Sequence, residues 1–66
     1  MPTASKSAER QFLRPPGLAE YLDVPLRTVY AWQSKGGGPR FHKVGRHVRY
    51  RLSDVDAWLE TRVSAA

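Results

Sequence analysis

Hydrophobic residues between positions 15 and 35 recur every three to four residues, in two short stretches. The first stretch predicts a helix from Pro15 or Pro16 to Leu22, because proline fits the first turn of a helix, where its missing N–H has no partner to lose. The second stretch predicts a helix from Leu26 to Lys35. Residues 23–25, Asp-Val-Pro, are typical of a turn and separate the two helices.

The second predicted helix has two chemically different sides. Its packing side is formed by Leu26, Val29, Tyr30 and Gln33, with Trp32 at the flank. Its opposite side carries Arg27, Ala31, Ser34 and Lys35, with Thr28 at the border. Two short helices joined by a turn of about three residues have the geometry of a helix-turn-helix.

A β-hairpin is predicted to follow the two helices. Residues 36–39 are three glycines and a proline, which end the second helix. Residues 40–44 and 47–51 then predict two strands joined by a turn at Gly45 and Arg46. In the second strand Val48 and Tyr50 point inward, whereas the outward positions hold His47, Arg49 and Arg51. Such a hairpin is typical of a wing beside a helix-turn-helix.

The last predicted helix begins at Ser53, which we expect to cap it together with Asp56 three residues later. Its apolar stripe consists of Leu52, Val55, Trp58 and Leu59. Trp32 and Trp58 are expected to be the largest residues of the core. Residues 1–10 are polar without a period and predict a mobile arm. The prediction is therefore a small α+β domain over residues 11–63, a winged helix-turn-helix with two short helices, a β-hairpin wing and a C-terminal helix.

Charge is distributed very unevenly along the chain. Residues 24–53 contain seven basic side chains and no acidic one: Arg27, Lys35, Arg40, Lys43, Arg46, Arg49 and Arg51. The formal net charge is +5 and the pI is about 10.3. A folded surface of one sign on a small domain most often faces a phosphate backbone, so we expect double-stranded DNA as the partner.

The composition argues against several other classes of protein. There are no cysteines and only two histidines, which predicts neither a structural zinc site nor any other cofactor. The chain lacks the paired carboxylates, nucleophilic triads or phosphate-binding glycine loops of enzymes. It also lacks a long apolar run or a signal peptide, so we expect a cytoplasmic protein without a membrane contact. Trp32 and Trp58 could stack on single-stranded bases, but their helical spacing favours core packing.

Five residues of the second helix are candidate DNA contacts. Arg27 can bond a guanine edge, a phosphate or only water. Thr28 can bond a phosphate, touch a thymine methyl or merely cap the helix. Tyr30 is either a core-edge residue or a phosphate donor, and Ala31 lies on the same outward side as Arg27. Lys35 is favoured at a helix C-terminus even without DNA.

The wing supplies the other candidate contacts. Arg46 follows a glycine at the predicted hairpin tip and suits a narrow minor groove, although a charged turn residue can also serve solubility alone. Lys43, Arg49 and Arg51 are expected to follow the DNA backbone. His47, like His42, can contact a phosphate or remain an exposed strand residue.

Four segments in register resemble the winged helix-turn-helix of small excisionases and their AlpA-like and MerR-like relatives. They are residues 18–22, 28–32, 43–46 and 53–59, which read LAEYL, TVYAW, KVGR and SDVDAWL. The similarity covers about residues 12–62. It implies that the second helix enters the major groove and that the wing follows the backbone or the adjacent minor groove.

The same resemblance implies a function. An excisionase is an architectural protein that binds and bends attachment-site DNA and directs an integrase toward excision. A small transcriptional regulator on the same fold is the alternative. Because one short reading helix covers only a few base pairs, we also expect weak self-association of the protein on adjacent DNA sites.

Overall fold

The computed structural model describes residues 11–64, and the predicted arm over residues 1–10 lies outside them. Within the described part, three helices pack with a three-stranded antiparallel sheet whose strand order is β1-β3-β2. The elements in chain order are β1 Phe12–Leu13, α1 Pro15–Leu22, α2 Leu26–Lys35, β2 His42–Val44, β3 His47–Arg51 and α3 Leu52–Glu60. The predicted small α+β winged helix-turn-helix is confirmed.

A turn joins α1 and α2 at the predicted residues, 23–25. Asp23 is left-handed, with φ 58° and ψ 49°. The Val24 N–H returns to the Ala19 carbonyl at 3.0 Å, which satisfies one of the open acceptors at the end of α1. Pro25 is extended and precedes the first helical residue, Leu26. This tight exit sets the angle between the two helices and thereby positions α2.

The core is small and draws on every layer of the fold. Its buried residues come from α1, α2, β3 and α3: Leu18, Ala19, Val29, Tyr50 and Val55. The prediction that two tryptophans would form its largest part is wrong, because Trp32 and Trp58 are only half-buried. Their rings instead meet edge to face, with centroids 5.3 Å apart, at the side of the core. A core of this size encloses one phenol ring, that of Tyr50, more readily than two indoles.

The glycine linker after α2 is held by its neighbours. Gly36 and Gly37 have φ of 86° and 99°, a conformation that side chains rarely adopt. Gly38 lies directly against the Trp32 indole. The Arg62 guanidinium donates to the Gly37 carbonyl at 2.8 Å and lies 5.1 Å from the Trp58 ring centre. The chain beyond α3 therefore ties down the connection between α2 and the wing.

Replacing Gly38 by alanine is expected to destabilise the fold by about 1–3 kcal/mol, because the core must accommodate an added methyl. A Cβ at this position would lie 2.6 Å from Trp32 Cγ and Cδ2 and 2.7 Å from Trp32 Cβ, near the base of a side chain that has little freedom to move. The measurement is urea unfolding followed by tryptophan fluorescence.

Gly17→Ala is the matched control for that substitution. A Cβ at Gly17 would meet only Leu13, at 3.7 and 3.9 Å, which is ordinary contact. Alanine should also raise the stability of α1 by up to about 1 kcal/mol. Equal unfolding midpoints for the two variants would contradict the packing of the linker against Trp32.

The junction between β3 and α3 differs from the prediction. Ser53 does not cap the last helix: the helix begins at Leu52, its N-cap is Arg51, and no side chain caps it. The reason is that β3 runs straight into α3 without a connecting residue. The Leu52 N–H donates to the Gln11 carbonyl at 2.8 Å, so the main chain beside β1 satisfies this donor.

The sheet contains one more strand than the hairpin predicts. β1 adds to the free edge of β3, with Phe12 opposite Arg51 and Leu13 opposite Tyr50. The first wing strand is shorter than residues 40–44, since pairing begins at His42. The Phe41 ring instead packs against Tyr50, with ring centres 5.8 Å apart. The sheet thereby anchors the wing to the segment that precedes α1.

Candidate nucleic-acid interface

The outward side of α2 is exposed as predicted. Arg27 in the first turn, Ala31 one turn later and Lys35 at the last position are all exposed, whereas Thr28 is half-buried. Val29 is completely buried on the opposite side and anchors the helix to the core. α2 therefore presents a continuous surface to solvent along its whole length.

The packing side of α2 is narrower than predicted. Leu26 was expected on the packing side, and Tyr30 either at the edge of the core or as a phosphate donor; they are 37% and 50% exposed. At 100° per residue, Leu26 and Tyr30 lie about 60° and about 100° around the helix from the buried Val29, at the border of the packing side. The exposed surface of α2 consequently includes an aromatic ring and a leucine in addition to its cations.

The wing turn projects Arg46 into solvent. Gly45 has φ 66°, and a Cβ added there would meet no heavy atom within 4 Å, so the turn stands clear of the rest of the fold. Arg46 and the flanking Val44 and His47 are exposed, and Val44 is paired with His47 across the hairpin. Arg46 has the open surroundings that the predicted groove contact requires.

Strand register divides the other wing residues between two faces. Directly paired residues share a face of a sheet, and neighbours along a strand alternate. Lys43 pairs with Val48 and lies on the face of Val48 and Tyr50. The opposite face carries His42, Val44, His47, Arg49 and Arg51. Lys43 is exposed, but it does not form one row with Arg49 and Arg51.

Arg49 and Arg51 are half-buried and contact their own sheet. The Arg49 guanidinium donates to the Val48 carbonyl at 2.9 Å. Arg51 lies with its guanidinium carbon 5.9 Å from the centre of the Phe12 ring. Each arginine has five N–H donors in a planar fork, so these contacts leave other donors for an outside acceptor.

A hydrogen bond joins α2 to the wing, a contact that sequence reasoning missed. Gln33 Nε2 donates to the Tyr50 hydroxyl at 3.2 Å. Tyr50 belongs to β3, and the residue before it, Arg49, lies on the opposite face of that strand. The two residues are 17 positions apart, and no local pattern links them. Tyr50 therefore helps to position α2 relative to the strand that carries Arg49 and Arg51.

Tyr50→Phe is expected to lower stability at neutral pH by about 0.5–1.5 kcal/mol, the usual net contribution of a neutral hydrogen bond. Burial raises the pKa of Tyr50 above its ordinary value of 10.0, and the Gln33 hydrogen bond opposes this only in part. Because burial raises the pKa in the folded state, the fold favours the neutral phenol: wild type keeps its full stability below pH 10.0 and loses stability as pH rises through the folded-state value, although the hydroxyl still accepts the Gln33 hydrogen bond when it ionises.

The difference in stability between wild type and Tyr50→Phe should accordingly shrink as pH rises above about 10. Urea unfolding from neutral pH to about pH 11 measures it. Tyr21→Phe is a useful comparison, because the hydrogen bond to Asp56 raises the pKa of the exposed Tyr21 while leaving α2 untouched. A constant difference for Tyr50→Phe over the whole range would contradict the burial of this hydroxyl in the folded protein.

Two carboxylates of α3 contact residues other than the seven cations of residues 24–53. Asp54 contacts His42, with Nε2 and Oδ2 3.3 Å apart, and Asp56 accepts a hydrogen bond from the Tyr21 hydroxyl at 2.5 Å. Among residues 11–64, none of the seven lysines and arginines forms an ion pair with a carboxylate. No ion pair within the described residues therefore neutralises these seven cations, which leaves them available to a polyanion.

Residues 11–64 contain no group of three or more histidine, aspartate or glutamate side chains arranged to hold a metal ion. No helix among them is long and apolar enough to cross a membrane.

Comparison with known proteins gives the family of the chain. A search of the curated proteins found no match. The family model described as helix-turn-helix domain matches residues 12–63, which covers all six elements of the fold. This match agrees with the two-helix unit, its tight left-handed turn and the uncompensated basic surface. The chain therefore belongs to the helix-turn-helix domain family, a DNA-binding family that includes excisionase-like proteins.

Proposed function

We propose that the protein binds double-stranded DNA with α2 in the major groove and with the Arg46 turn of the wing in the adjacent minor groove or along the backbone. The observation that carries this proposal is the set of seven cations without a paired carboxylate, placed on a helix-turn-helix and its hairpin. A B-form major groove is about 12 Å wide and admits an α-helix. The minor groove is narrower and attracts arginine.

The proposed contacts divide by role. Arg27 reads a base edge, while Thr28, Tyr30 and Lys35 contact the backbone at the borders of α2. Ala31 faces the floor of the groove. Arg46 enters the minor groove, and Lys43, His47 and Arg49 bind phosphates on the two sides of the wing, as their separation by strand register allows.

We infer further that the protein acts as an excisionase, in the cytoplasm of a bacterial host. α2 has ten residues and is therefore about 15 Å long, which spans only about four base pairs at 3.4 Å each. So short a reading element carries too little information to find one site in a genome. Several copies on adjacent sites, with weak contacts between them, supply the missing specificity.

Such an array has a mechanical consequence. Neighbouring wings hold successive stretches of backbone and bend the DNA between copies, at a cost of on the order of 1–6 kcal/mol that the added contacts offset. A bend brings distant segments bound by an integrase together. The protein thereby directs recombination toward excision without catalysing it.

Footprinting and a circular-permutation gel on genomic fragments from the host test this role. We expect several adjacent protected segments beside a recombinase attachment site, together with a bend that grows with the number of bound copies. Adding the recombinase should then yield an excised circle only in the presence of this protein. A single short footprint over a promoter, without bending, would overturn the excisionase role and indicate a transcriptional regulator.

A further inference from the structure

The middle of the exposed side of α2 carries very few groups that can bond to a base. Two residues lie on its outward centre line, Arg27 and Ala31, one helical turn apart. Tyr30 lies on one flank, and Lys35 is the last residue of the helix. Ser34 is exposed, but its hydroxyl donates to the Ala31 carbonyl at 3.3 Å and lies 3.5 Å from the Tyr30 carbonyl. Its proton is therefore directed at its own helix.

The centre of this face is thus one long hydrogen-bonding side chain next to one bare methyl group. In the major groove thymine is the base that presents a methyl group, and alanine is among the side chains that contact it. A side chain as short as alanine also lets the helix lie close to the base edges, whereas a longer one would hold it away.

We propose that Ala31 is a specificity residue that packs against the 5-methyl group of a thymine, beside the base pair read by Arg27. This inference rests on the proposed entry of α2 into the major groove. Cβ atoms one turn apart on a helix are about 5–6 Å apart, and base pairs are stacked about 3.4 Å apart. The thymine accordingly lies within about two base pairs of the guanine.

The test begins with selection of a preferred duplex from a random-sequence library by the full chain. Each thymine of that duplex is then replaced in turn by deoxyuridine, which removes only the methyl group. We expect one thymine near the Arg27-dependent guanine to respond, with binding about fourfold weaker, as the loss of one buried methyl group predicts.

Two variants make the test specific to this contact. In Ala31→Ser the hydroxyl replaces the bare methyl surface, so the same deoxyuridine substitution should have no further effect. Ser34→Ala, an equally small change on the same helix, should retain the full response to deoxyuridine.

The possible outcomes distinguish the thymine contact of Ala31 from the proposed DNA binding on which it rests. If no thymine responds while Arg27→Ala still abolishes the preference of the protein, methyl recognition by Ala31 is overturned and the proposed function stands. The same holds if Ala31→Ser retains the response. If the library yields no preferred duplex at all, the proposed function itself fails.

Discussion

Arg27→Ala is expected to weaken binding to the preferred duplex by about 1–3 kcal/mol and to weaken binding to random duplex much less. Arg27 is exposed in the first turn of α2, on the side opposite the buried Val29. From there its guanidinium can bond two acceptors of one guanine, and a truncated side chain loses both bonds. Fluorescence anisotropy with both duplexes measures the change, and circular dichroism checks that the variant is folded.

Two further variants serve as controls for Arg27→Ala. Arg46→Ala should weaken binding to preferred and random duplex alike, because a wing contact to the backbone or a narrow minor groove carries little base information. Arg14→Ala removes the same charge from an exposed position just before α1, outside the basic run, and should change neither affinity by much. If Arg27→Ala leaves the ratio of the two affinities unchanged, α2 is not the reading element.

Binding should weaken steeply with salt. If about five of the seven unpaired cations contact phosphates, log K falls against log salt concentration with a slope of about −4 to −5. Between about 50 and 200 mM salt this corresponds to a loss of affinity of roughly 500-fold. Each phosphate contact that a substitution removes should make the slope less negative by about one. The slopes measured for Arg46→Ala and Lys43→Ala therefore show whether each of these side chains contacts a phosphate.

A nearly flat salt dependence would contradict the electrostatic account. Ion release from the DNA backbone is independent of sequence, so the slope should be similar for preferred and random duplex. If added salt weakened binding only to the preferred duplex, the cations would instead contact groups specific to that sequence. Affinity that hardly changed for either duplex would point to a protein partner for the basic surface.

The two helices of the helix-turn-helix were predictable because strong local signals border them. Proline is favoured in the first turn of a helix but not in its interior, Asp23 adopts the left-handed conformation that ends α1, and Gly36 and Gly37 have positive φ values that a helix interior does not use. The exposed side of α2 followed from its period, since the buried residue of this helix, Val29, lies on the opposite side. Local chemistry was sufficient for these features.

Features that depend on pairing between distant segments were not predictable. β1 has two residues, too few to show the alternation of a strand, and it exists because β3 offers it a free edge. Ser53 has the sequence signal of a helix cap but does not cap α3, because pairing with Phe12 extends β3 to Arg51 and the helix begins directly after it. Tertiary context decides such cases.

In the candidate interface too, features set by local sequence were predictable and features set by strand pairing were not. Exposure of Arg27, Ala31, Lys35 and Arg46 followed from helix period and turn chemistry. The register that places Lys43 on the other face from Arg49 depends on which residues pair across the hairpin, and the sequence alone does not specify this. The DNA contacts proposed for all of these residues stay predictions.

A competition experiment tests the central claim most directly. Labelled preferred duplex bound to the full chain is challenged with unlabelled preferred duplex, a scrambled duplex of equal composition, single-stranded DNA and RNA at two salt concentrations. Sequence-specific reading of duplex DNA by α2 and the wing predicts that the preferred duplex competes at least about tenfold better than the scrambled one, and better still than either single strand. Equal competition by single-stranded DNA or RNA would contradict it.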